Sequence, residues 1–200
     1  MDTATLGISL KKDEKIDLTK TNPGLLLLAL GLGWDVNGGN ADAFDLDAIA
    51  LALDANGKLY KGAEGLLFYG KAPSRGAAFD ILGGSLKHTG DNLTGAGDGD
   101  DETIHVDLAK VPADVQRITL MISIYDAKER GQNFGRIKNS FVRMYDVDTK
   151  QEIARYDLQE DFGAFSNIEV GSVYRHNGEW KFEAKGEGKP GTFEDVLKAY

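Results

Sequence analysis

Two hundred residues, 42% of them hydrophobic, make one domain's length of chain with enough apolar material for a buried core, which excludes a wholly disordered protein. The absence of cysteine excludes disulfides, thiolate metal sites, iron–sulfur clusters and cysteine nucleophiles together. The net charge of −9 is concentrated: residues 35–54 hold five acids and residues 91–102 five more, with no base in either stretch, while the rest of the chain carries 23 bases against 22 acids; such a chain repels nucleic acid, and its two acidic stretches repel everything but cations.

Along the chain the apolar period is mostly two, with strands expected at 6–10 and 25–32. The apolar run Leu25–Leu32 is well short of the ~20 residues that span a bilayer, and no basic, then apolar, then small-residue leader opens the chain, so a cytoplasmic protein without direct membrane insertion is expected. Ile49, Leu51 and Leu53 alternate with alanines, and another short strand follows at 66–69. Ile104, Val106 and Leu108 alternate with Thr103, His105 and Asp107. Ile118, Leu120, Ile122 and Ile124 alternate with Thr119, Met121 and Ser123. Residues 133–139 suggest a short helical turn; Val142 and Met144, then 152–158 and 168–175, continue the strands. Asn177-Gly178 is a hairpin turn leading into Trp180 and Phe182. Fifteen of the 25 glycines lie between Gly31 and Gly99, which suits short strands joined by tight loops. The C-terminus alone is helical in pattern: Phe193, Val196, Leu197 and Tyr200 share a face, Thr192 is an N-cap and Asp195 completes a capping box. The architecture expected is mainly β, a single-domain β-sandwich with a short C-terminal helix.

The two acidic stretches flank strands. Gly90–Glu102 runs straight into the strand at Thr103, and Asp42-Ala43-Phe44-Asp45-Leu46-Asp47 precedes another. Adjacent carboxylates at 4 Å repel by about 1–4 kcal/mol depending on exposure, so a fold that positions several of them needs a compensating cation. Calcium suits this chemistry because it takes six to eight hard oxygens in flexible geometry, while magnesium keeps its waters and zinc or copper want imidazole or thiolate. Asp45 and Asp47, two apart in extended chain, face one side. A solvated acidic loop is the bland alternative; acids repeated at two strand ends argue against it. The stretches fit neither the EF-hand loop nor the glycine-rich calcium repeat of β-helices.

GDNLTGAGDGDDE, residues 90–102, closely resembles the signature of the TerD family of bacterial tellurite-resistance and stress proteins. Gly31-Leu32-Gly33-Trp34-Asp35, Phe44-Asp45-Leu46-Asp47-Ala48, Ile124-Tyr125-Asp126-Ala127, Arg130–Gly135, Glu152–Leu158 and Val173–Phe182 resemble further blocks of that family in the same order. The resemblance implies one TerD-like domain over 1–200, a C2-like calcium-binding β-sandwich holding two Ca2+ ions in acidic loops at one end. Carried over on that basis, the metal ligands are Asp45, Asp47, Asp91, Asn92, Asp98, Asp100, Asp101 and Glu102, with Asp35 and Asp126 weaker candidates. It also implies partners among the proteins of the tellurium-resistance system, including the membrane protein TerC. Ala96 departs from a frequent glutamate, and 62–86 and Phe162–Asn167 are atypical.

No phosphate-binding loop, dinucleotide fingerprint or nucleophile elbow is present. His88 lies three residues before Asp91 and is placed to touch the ion site, His105 is expected to be exposed, and Trp34 and Trp180 are expected core anchors. Arg130–Gly135 is either a polar recognition loop or a structured turn with Phe134 packed inward. The preferred function is a non-enzymatic, calcium-dependent interaction module in a stress response. The alternatives are a metal-dependent hydrolase, in which the ion activates water, and a C2-like peripheral membrane binder, against which the lack of a basic cluster argues.

Overall fold

The computed structural model describes residues 7–35, 44–92, 99–158 and 162–200. In chain order they form β1 (Ile8–Ser9), β2 (Lys15–Asp17), β3 (Leu27–Asp35), β4 (Leu46–Leu53), β5 (Leu66–Leu67), β6 (Phe79–Ile81), β7 (Leu86–His88), β8 (Glu102–Asp107), β9 (Arg117–Ile124), α1 (Ala127–Arg130), β10 (Lys138–Asp146), β11 (Glu152–Asp157), β12 (Asn167–His176), β13 (Glu179–Lys189) and α2 (Phe193–Leu197). One sheet has the order β1-β11-β10-β3-β8-β7-β6 and the other β2-β13-β12-β9-β4-β5. Neighbours are antiparallel except β1, which runs parallel to β11.

Period-two patterning explains the layers. Leu28, Leu30 and Leu32 of β3, Ile104 and Val106 of β8, and Val142 and Met144 of β10 meet Ile118, Leu120, Ile122 and Ile124 of β9 and Ile168, Val170 and Val173 of β12 in one buried cluster. Two sheets packed through alternating inward residues are a β-sandwich. Trp34 and Trp180 both belong to this core. On β4 the small residues face inward: Ala48, Ala50 and Ala52 sit in the inter-sheet core, where β8 of the facing sheet comes close against β4. The larger Ile49, Leu51 and Leu53 point the other way, where Leu66, Met121 and Val196 join them in a second cluster under α2.

Local signals end the elements where expected. Asn177 (φ 53°) and Gly178 (φ 80°) form the left-handed pair that turns β12 into β13. α2 carries its capping box: Thr192 Oγ1 accepts from Asp195 N at 3.3 Å and Asp195 Oδ2 accepts from Thr192 N at 3.2 Å. Other expectations are trimmed: the first strand contracts to Ile8–Ser9, and the turn at 133–139 is a single 3₁₀ turn at Phe134–Arg136. Phe134 is buried, so the Arg130–Gly135 segment is a packed turn. His105 is half-buried on β8 and its pKa is lowered, first by burial and then by Lys87. β2, β6 and β7 have no counterpart among the expected strands; three residues each is too short to display a period. Among the described residues no helix is long and apolar enough to cross a membrane.

Candidate metal centre

Leu46 starts β4 with its side chain fully buried in the core, so Asp45 and Asp47 on either side of it share the opposite face. Asp91 reaches the same place from the other sheet. It follows β7 through Gly90, whose φ of 128° and approach to the Gly76 carbonyl, 2.5 Å from where a Cβ would stand, leave room for glycine only. One carboxylate oxygen from each of Asp45, Asp47 and Asp91 lies within 4.8 Å of the others. Oxygens on opposite sides of a calcium ion at 2.3–2.6 Å stand about 4.6–5.2 Å apart, so this spacing admits such an ion without rearrangement.

The electrostatics of these groups are uncompensated. Asp47 is 3% exposed, and Oδ1 of Asp45 and Oδ1 of Asp91 are buried with no hydrogen-bond donor among the described residues. Burial first, and then the charges of Glu102, Asp45 and Asp91, push Asp47 up to about 9. Burial, then Asp91 and Glu102, push Asp45 up to about 7 against a weaker pull from Arg130 and Arg75. Two carboxyls raised by burial, beside Asp45 and Asp91 oxygens that meet no donor among the described residues, have the donor chemistry of a hard-cation site.

Glu102 flanks this group as a staple between the sheets. It is 1% exposed; Oε2 accepts from Ala48 N of β4 at 2.7 Å and Oε1 accepts from Asn92 N at 3.1 Å. His88 is fully buried against Phe79, accepts at Nδ1 from Gly90 N (3.1 Å) and brings Nε2 within 3.4 Å of Glu102 Oε2. Burial raises the Glu102 pKa, and His88 and the two amides oppose it.

Asp100 and Asp101 are engaged by other partners. Arg143 donates to both oxygens of Asp100, Nε to Oδ1 at 2.7 Å and Nη2 to Oδ2 at 3.0 Å. Asp101 accepts from Trp34 N at Oδ2 and from Asn92 Nδ2 at Oδ1, both at 3.0 Å, and its own amide donates to the Leu32 carbonyl. Residues 99–101 therefore lie against β3, and this explains Gly31 and Gly33. A Cβ on Gly31 would stand 2.2 Å from the Asp100 carboxylate, and one on Gly33 would stand 2.7 Å from the Gly99 carbonyl and 2.6 Å from the Phe141 ring. Asp98 and Ala96 lie outside the described residues. Asp126 adopts φ 51° at the start of α1 and lines the neighbouring cavity instead of the carboxylate group. Arg143, the partner of Asp100, carried no signal in the chain beyond being a base on an alternating strand.

The TerD domain model matches residues 6–200. The chain is 47% identical over 195 residues to general stress protein 16U of Bacillus subtilis strain 168, covering 96% of each. It is 42% identical over 195 residues to a tellurium resistance protein TerD of Alcaligenes sp., covering 98% of this chain and 97% of that one. A crystal structure of a homologue of telluride resistance protein from Streptomyces coelicolor A3(2) has the same fold, with a TM-score of 0.67 over 87% of this chain and 96% of that one at 18% identity.

Proposed function

The chain belongs to the TerD family, and from that premise we propose that it is a calcium-binding stress-response protein contributing to resistance to tellurite and other chemical damage. The carrying observation is the convergence of Asp45, Asp47 and Asp91, two of them with buried oxygens that have no donor among the described residues. On this reading these three carboxylates are the protein ligands of one ion, and Glu102 adds negative charge while its oxygens stay with Ala48 and Asn92. A second ion would have to draw on Asp98, or on Asp100 and Asp101 at the expense of Arg143, Trp34 and Asn92. Bound calcium supplies the positive charge that lets Asp45 and Asp47 ionise, and so fixes Asp91 against β4. The fixed loops present a surface to another protein of the tellurium-resistance system. This reading is non-enzymatic; neither relative named above takes its name from a reaction.

The test is calorimetric titration of the metal-stripped protein with calcium, in parallel with magnesium, for wild type and Asp91→Asn. Saturable binding that prefers calcium and weakens at least about tenfold in the variant supports the assignment. Equal affinity of the two proteins moves the site elsewhere.

A further inference from the structure

A cavity of about 640 Å³ opens on the outer face of the second sheet, between α1 and the N-terminal turn of α2. Its volume is that of a small-molecule site. The floor is Ile49 and Ser123, and Asp47 stands in the wall. Asp47 is 3% exposed, and its carboxyl makes no hydrogen bond or ion pair among the described residues. Asp126, Glu129 and Glu194 are exposed at the rim, facing Lys128 as the single base of the lining. The fourth rim acid, Asp195, is engaged by Lys198 Nζ at 2.7 Å. Tyr69 and Tyr125 meet edge to face at 5.7 Å in the same lining, and Tyr125 is 41% exposed.

We propose that this cavity binds a small organic cation, an amine or guanidinium on a short carbon skeleton. Three unpaired rim carboxylates attract positive charge and repel oxyanions. The tyrosine rings offer quadrupole faces and apolar contact for the carbon chain of such a ligand. Asp47, buried in the wall, offers the oxygens of its carboxyl as acceptors to an ammonium that enters. Because Asp47 also belongs to the calcium centre proposed above, a cation seated deep in the cavity and calcium compete, and the competition is reciprocal.

Spermidine is the probe, titrated calorimetrically into the full-length protein at physiological salt, with and without calcium. The metal-free wild type is expected to bind it saturably, Tyr125→Ala and Glu194→Gln about tenfold more weakly each, and calcium to weaken it in wild type. Both variants are expected to keep wild-type calcium binding, because neither residue is a carboxylate of the metal group. Equal spermidine affinity in wild type and both variants, or no binding at all, overturns the proposal and leaves the calcium assignment standing. Spermidine binding in a protein that shows no calcium binding has the opposite meaning: the cavity is right and the metal centre wrong.

Discussion

A carboxylate held at 3% exposure with no donor among the described residues is costly when ionised, and Asp47 escapes that cost by keeping its proton up to about pH 9. The unfolded chain has no such constraint and ionises the same group near pH 4. At neutral pH folding without metal therefore has to take up a proton at Asp47, and that uptake subtracts from stability. Asp47→Asn removes the requirement in a side chain of the same shape. The metal-free variant is expected to melt at least about 3 °C above wild type at pH 7.5, while the rise in melting temperature on adding calcium shrinks toward zero. Thermal melts of both proteins with chelator and with excess calcium check it; a metal-free variant that melts below wild type would show that Asp47 is satisfied by a bond other than metal.

Among the elements, α2 closes the second hydrophobic cluster. Five residues long, it is held by the Thr192–Asp195 box at its start, and the chain end behind it is tied by Tyr200, whose hydroxyl donates to Glu169 and whose carbonyl accepts from Leu59 N. It covers Ile49, Leu51 and Leu53 of β4. Thr192→Ala is expected to cost about 1 kcal/mol, a fall of roughly 2–4 °C in melting temperature, with calcium affinity unchanged because Thr192 is not one of the carboxylates of the metal group. Hydrogen exchange at Leu51 and Leu53 should quicken ahead of exchange at Ile122. The box and the Asn177-Gly178 turn were legible in the chain because both are signals confined to four residues or fewer. The shared face of Asp45 and Asp47 was legible for the same reason. The inward face of β4 was not, since an alternation of alanine with isoleucine or leucine does not say that a helix far along the chain covers the larger set. Asp91 could be recognised as an acid in a loop, but its meeting with Asp45 and Asp47 depends on β4 and β7 lying in different sheets. Asp100 looked like Asp91 in sequence; only the pairing of β3 with β10 brings Arg143 to it and sets Gly31 beneath it.

For the whole molecule, the carboxylate group couples pH, metal and stability with a definite sign. Asp45 and Asp47 are raised to about 7 and about 9, and Glu102 is raised as well. Between the unfolded value near 4 and these folded values the native state binds more protons than the unfolded one, so the stabilising contribution is complete below about pH 4 and is lost as pH rises through 7 and 9. Asp17, Asp54, Asp107, Glu183 and Asp195 are lowered and act in the opposite sense, but their effect is complete before pH 5. His105, lowered by burial, also acts oppositely, up to about pH 6.5. The interval from pH 7 to 9 therefore isolates the carboxylates: the melting temperature of the metal-free protein is expected to fall across it. Calcium needs the same groups ionised, so its affinity should climb over that interval, and binding at pH 7 should release about one to two protons. Calorimetry in two buffers of different ionisation enthalpy measures that release directly. Calcium binding with no proton release would place the ion on carboxylates already ionised, away from Asp45 and Asp47.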